Sequence, residues 1–228
     1  MMIVSVHQPH YLPWLGYFDK MASSDAFVFL DMVQYKRREF QNRNKIRTGD
    51  GWVWLTVPVI SKGRYNQKIY EVAINNTINW QSSHWGKIKT NYGKAPYFKD
   101  YSDFFEEVYT NKWDRLTKLN IYVIKYLLAC LDIDTPLYLE SDLETKNQGT
   151  ERIIQICKKL GADTYLSGVG GKAYLDEAKL ARAGINLEYQ DFHHPQYQQQ
   201  YPGFEPYMSV IDLLFNHGKD SLKILRGE

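Results

Sequence analysis

Apolar and polar positions alternate along the chain in a way that predicts strands and helices in succession. Ile3 to Val6 is a short apolar run that breaks into a polar loop stiffened by Pro9 and Pro13. A helix from Trp14 to Ser23 and a second strand, Ala26 to Leu30, follow. Gln34 to Thr48 is polar and basic, and Trp52 to Ile60 alternates aromatic and β-branched residues as a strand does. From Trp80 to Leu131 the pattern is helical. It is clearest where Leu116, Leu119, Val123, Leu127 and Cys130 recur at three- and four-residue spacing behind Asn111, the expected N-cap.

A second α/β passage then begins. A helix carrying Ile153, Ile156, Cys157 and Leu160 is closed by Gly161 and leads to a strand through Tyr165, Leu166 and Ser167. The turn Gly168-Val169-Gly170-Gly171 feeds a helix expected over Ala173 to Ala183, stopped by Gly184, and then a strand from Ile185 to Tyr189. Phe192 to Pro206 reads as a long loop, and Ser209 caps a last apolar helix that ends near Asn216-His217-Gly218. Crossover units of this kind are right-handed and build parallel sheets. The expected fold is α/β: a mostly parallel Rossmann-like sheet with flanking helices and a helical insertion in the middle of the chain. The expected organisation is one α/β domain over residues 1–228, with 80–132 as the helical insertion or subdomain.

Composition narrows the class. At 44% hydrophobic and 24% charged residues, the chain lies well away from the disordered class. No basic, apolar leader opens it and no run reaches membrane-spanning length, which predicts a cytoplasmic protein with no membrane insertion. A formal charge of +2 is too small for a general nucleic-acid binder, so nucleic acid is not the expected partner. Cys130 and Cys157 fall at apolar helical positions and read as small hydrophobes rather than nucleophiles. The 18 Tyr, 10 Phe and 6 Trp suit stacking on sugars, bases or a partner surface.

Four segments carry candidate chemistry. The first is His7-Gln8-Pro9-His10, with Tyr11 and Trp14 beside it, where the opening strand runs out into its loop. Ligands of open parallel sheets bind beyond the carboxyl ends of strands. Two imidazoles there can donate to phosphate, act as a general base or bind a metal, or they can simply satisfy a strand end and pack against Trp14 or Tyr17. The spacing resembles the paired histidines of nucleotidyltransferases and adenylate-forming enzymes. Pro9 stands where those enzymes carry glycine, and no second lysine or serine signature accompanies it.

The second is the basic run from Lys36 to Arg47. Read as extended, it puts Gln41, Arg43, Lys45 and Arg47 on one face, suited to an anion, with Asn42 and Asn44 opposite. A solvated hairpin would carry Lys36 to Arg38 equally well. Asp31, ending the second strand, is placed to orient either segment. The third is the turn Ser167-Gly168-Val169-Gly170-Gly171, whose backbone N–H groups suit an anion but whose spacing is that of neither a Walker loop nor a dinucleotide fingerprint. The fourth is Asp191, His193 and His194, which can supply a base or complete a metal site with His7 and His10, though a histidine pair in a Gln-rich surface loop is more often simply solvated; no metal is expected.

The stretch Val6 to Phe18, with Asn42-Arg43-Asn44-Lys45-Ile46, Trp54-Leu55-Thr56-Val57-Pro58, Tyr165-Leu166-Ser167-Gly168 and Ser209 to Phe215, resembles the WbqC-like protein family essentially end to end. The resemblance implies a place in bacterial O-antigen, lipopolysaccharide and surface-polysaccharide biosynthesis, and it supplies no catalytic residues. The leading expectation is a transferase that adds an acyl or aminoacyl group to an amino sugar or nucleotide-sugar precursor. His7, His10 and Asp31 are its candidate catalytic residues. Gln8, Tyr11, Trp14, Asn42, Arg43, Asn44, Lys45, Ser167, Gly168, Gly170 and Gly171 are its candidate binding residues. The expected partner is a small molecule, a nucleotide sugar or sugar phosphate, with an acyl or aminoacyl donor; the cofactor is left open. The alternatives are a nucleotidyltransferase or adenylate-forming enzyme, and a non-catalytic partner of a polysaccharide assembly complex.

Overall fold

The apolar runs become strands and the amphipathic stretches become helices, in a computed structural model that describes all of residues 1–228. In chain order these are β1 (Ile3–His7), α1 (Leu15–Ala22), β2 (Ala26–Phe29), β3 (Arg43–Thr48), β4 (Gly51–Thr56), α2 (Trp80–Tyr92), α3 (Phe98–Thr110), α4 (Leu116–Cys130), β5 (Leu137–Leu139), α5 (Gly149–Leu160), β6 (Thr164–Ser167), α6 (Glu177–Arg182), β7 (Asn186–Tyr189), α7 (Val210–His217) and α8 (Ser221–Arg226). They sort into two compact units, one of residues 1–9, 16–33 and 133–193, the other of residues 10–15, 34–132 and 194–228.

The first unit is the expected α/β sheet. Its five strands run in the order β5-β2-β1-β6-β7, and every neighbouring pair is parallel. Val4, Val6, Ala26 and Val28 alternate onto one face, where they pack with Ile153, Ile156 and Cys157 of α5 and Leu180 of α6. Phe27, on the opposite face, meets Tyr17 of α1 with ring centroids 5.5 Å apart. Helices therefore cover both faces, as a parallel sheet requires. The strand order carries a functional consequence: from β1 the chain lays β2 and then β5 to one side, and β6 and then β7 to the other. The sheet reverses its winding between β1 and β6, and that is where open α/β sheets leave a crevice at their carboxyl edge.

The second unit holds the helical middle. The α4 stripe is buried as its spacing requires, with Leu116, Leu119 and Leu127 fully enclosed. β3 and β4 form an antiparallel hairpin in register from Arg43↔Thr56 to Thr48↔Gly51.

Three local expectations are corrected. Asn111 does not start α4; it ends α3, its N–H donating to the Glu107 carbonyl, and α4 begins after Arg115. The chain from Val169 to Ala173 is a 3-10 turn, and α6 starts only at Glu177, where the Asp176 carboxylate accepts from the Lys179 N–H. Two nearby glycines and a competent aspartate cap explain the delay. Finally, β3 does not offer Gln41, Arg43, Lys45 and Arg47 as one open face. Gln41 lies before the strand and is buried, and Arg47 is buried with its guanidinium on the carbonyls of Thr48, Gly51 and Pro202.

Candidate functional site

β1 ends at His7, and β6 ends at Ser167; each then turns sharply, the first into Gln8-Pro9, the second into the glycine turn. Between these two exits the first unit has a cavity of about 220 Å³, lined by Val6, His7, Gln8, Lys20, Leu30, Tyr165, Ser167, Gly168, Gly170, Gly171 and Tyr174. It sits at the switch point of the sheet. Its walls mix two aliphatic side chains with an imidazole, an amide, hydroxyls and one ammonium, and no carboxylate lines it.

The local bonding orients these groups. His7 Nδ1 lies 3.1 Å from the Gln8 carbonyl, which can only accept, so Nδ1 carries the proton and Nε2 is the basic nitrogen. The same carbonyl accepts from the Tyr17 hydroxyl at 3.0 Å, and the Tyr17 ring stands edge-on to His7 at 5.0 Å. The imidazole is thus fixed in both ring orientation and tautomer. Ser167 is buried, its hydroxyl donating to the Gly168 carbonyl. Gly171 approaches it so closely that a Cβ there would lie 2.1 Å from Ser167 Oγ, which is why this position takes glycine; Gly170 has open space above it.

Lys20 is the residue that the sequence reading passed over. It is only 3% exposed, donates from Nζ to the Val6 carbonyl at 3.0 Å, and forms no ion pair. Burial pushes its pKa down to about 7. A signal was present: Lys20 stands three residues after Tyr17 and one before Met21, on the apolar stripe of α1, where a charged residue is out of pattern. Tyr165 and Tyr174 join the cavity through the strand and turn that also bring the predicted glycines.

Other predicted residues lie elsewhere. Asp31, at the end of β2, is buried and accepts from the Ser141 backbone N–H at 3.0 Å and the Ser141 hydroxyl at 2.7 Å, tying down the loop that follows β5. It is not among the cavity residues. His10 belongs to the second unit, buried with its ring 5.9 Å from that of Phe40. Tyr11 is enclosed there too, its hydroxyl bonded to His84 Nδ1 at 2.9 Å and to the Tyr109 hydroxyl at 2.6 Å. Burial drives the His84 pKa down to about 3, so this aromatic cluster holds a neutral imidazole. Trp14 stacks on His194, with centroids 6.3 Å apart.

The basic segment makes a separate site in the second unit. A cavity of about 300 Å³ is lined by Arg37, Arg38, Arg43, Asn42 and Tyr35, among others. The Arg43 guanidinium lies 4.2 Å over the Trp54 ring and donates to the Arg38 carbonyl, and none of the three arginines has a carboxylate partner. Lys45 lies over Trp52 at 4.9 Å. The asparagines are spent on the backbone: Asn42 and Val57 exchange hydrogen bonds, and Asn44 holds the carbonyl of Leu12, whose φ of 46° is left-handed. His193 and Asp191 are exposed loop residues.

Comparison with known proteins places the chain in a group. The sequence model of the WbqC-like protein family matches residues 8–224. The uncharacterized protein Rv1507c of Mycobacterium tuberculosis (strain ATCC 25618 / H37Rv) is 36% identical over 225 residues, which cover 98% of this chain and 97% of that protein. No solved structure gives a significant match. No helix is long and apolar enough to cross a membrane.

Proposed function

The chain belongs to the WbqC-like protein family, and from that premise we propose that it is a transferase adding an acyl or aminoacyl group to an amino sugar or its nucleotide-sugar precursor, in the cytoplasm, for surface-polysaccharide synthesis. The observation that carries the reading is the cavity at the β1/β6 switch point, where an oriented imidazole meets hydroxyls, an amide and aliphatic walls. Acyl transfer to a sugar amine needs a base for the amine proton and donors for the carbonyl oxygen. The amine nitrogen attacks the carbonyl carbon of an activated ester or thioester, its proton passes to His7 Nε2, and the bond to the donor's oxygen or sulfur breaks with that atom leaving. Gln8 and Ser167 are suited to hydrogen-bond the sugar's hydroxyls, and Tyr174 to cover its ring. The arginine-lined cavity of the second unit is assigned on its own to an anionic ligand.

A paired-histidine triphosphate clamp is not favoured, because His10 is buried against Phe40 and does not line the cavity with His7. The test is turnover of an amino sugar nucleotide with acyl-carrier and aminoacyl donors. His7→Ala should lower kcat by about a hundredfold to ten-thousandfold with the unfolding midpoint little changed; full turnover by that variant removes His7 as the base.

A further inference from the structure

We infer that the cavity between β1 and β6 receives a phosphate group of its ligand, and that the Lys20 ammonium is the charge that binds it. The inference rests on the reading of this cavity as the ligand site and adds the class of group the ligand must carry. Lys20 is buried on α1, its Nζ meets one carbonyl, that of Val6, and an ammonium has three protons to donate. It has no ion pair, and no aspartate or glutamate lines the cavity. Taking a charge out of water is costly unless it is paired. The other buried cation, Arg47, meets that cost with three carbonyls of the protein, whereas Lys20 has one. An anion entering the cavity would offset the cost.

The surroundings suit phosphate better than carboxylate. An arginine fork would match either anion and none lines this cavity, whereas phosphate brings more charge and more acceptor oxygens for a lone ammonium to meet. A tetrahedral oxyanion is served by a point charge with separate donors around it. Lys20 Nζ lies 3.9 Å from where a Cβ on Gly168 would sit, so the ammonium stands beside the glycine turn. Above Gly170 nothing stands within 4 Å, which leaves the turn's backbone approachable by phosphate oxygens.

The experiment measures the unfolding midpoint of the full chain while inorganic phosphate, pyrophosphate or acetate is added at matched ionic strength. It is run in an Arg37→Ala, Arg38→Ala, Arg43→Ala background, which removes every arginine of the second unit's cavity. Phosphate and pyrophosphate should raise the midpoint saturably, and acetate should not. Adding Lys20→Met should raise the ligand-free midpoint and abolish the phosphate increment. Lys20→Gln, which keeps a donor for the Val6 carbonyl, is the second variant should the methionine form fail to fold. A phosphate increment that survives loss of Lys20, or none in its presence, overturns the inference. Turnover by the unmodified chain without a phosphate response sinks the phosphate subsite alone; a phosphate response without turnover of any acyl donor sinks the transferase reading alone.

Discussion

Two buried charges, one in each unit, show opposite solutions to the same physical problem. Asp212, on α7 of the second unit, is fully enclosed, and its carboxylate accepts from the hydroxyls of Tyr92 at 2.8 Å and Tyr197 at 2.9 Å and from the Gln199 amide at 2.8 Å. Burial still pushes its pKa up, against three hydrogen bonds that pull it down. Lys20, in the first unit, is as deeply buried with one carbonyl for company. A satisfied network is architecture, since every group in it already has its partner. A buried charge left short of partners beside a cavity is an invitation to a ligand.

The comparison breaks first at Asp212. Asp212→Ala strands two buried hydroxyls at once and removes one of the two acceptors of the Gln199 amide, and should cost about 3–5 kcal/mol, read as a lowered denaturant midpoint. A loss below about 1 kcal/mol would mean that the network is not holding α7.

Lys20 should give the opposite sign and a smaller effect. Lys20→Met should stabilise the ligand-free protein at pH 6, by a gain on the order of 1–4 kcal/mol. The pH dependence follows from the depressed pKa. Below about 7 both the folded and the unfolded chain hold the proton, and the folded state bears the full cost of burying it. Between about 7 and the ordinary 10.5 the unfolded chain binds more protons than the folded one, so wild-type stability climbs with pH. The advantage of Lys20→Met should therefore shrink over that window and vanish above it. Asp19 on α1 and the other titratable groups around the cavity, His7, Tyr165 and Tyr174, are common to both proteins and cancel in the difference. A difference that does not change with pH would mean that Lys20 keeps an ordinary pKa.

The first unit was legible because its strands are apolar runs with turn signals at both ends. β1, β2, β6 and β7 came from such runs, and Gly161, with φ of 70°, closes α5 as a glycine after an amphipathic helix should. The three-residue β5 left no pattern to read, and β3 was hidden because Asn44 and Arg47 are buried polar residues whose partners are distant carbonyls. The same distinction governs the site. His7, Gln8, Ser167 and the glycines stand at strand exits, where position alone is informative, and the cavity brings them together. His10, Tyr11 and Trp14, their close neighbours in sequence, enter the second unit's packing instead. Lys20 shows in the sequence only as a charge on the apolar stripe of α1, a faint mark because a lysine on a helix is ordinarily solvated.

The most direct test of the central claim, that the β1/β6 crevice is where this protein meets its ligand, is hydrogen–deuterium exchange with and without an amino sugar nucleotide. The account predicts slowed exchange in peptides covering residues 5–9 and 167–174, lost in Lys20→Met. Protection confined to other segments, or binding with no change at either strand exit, would contradict it.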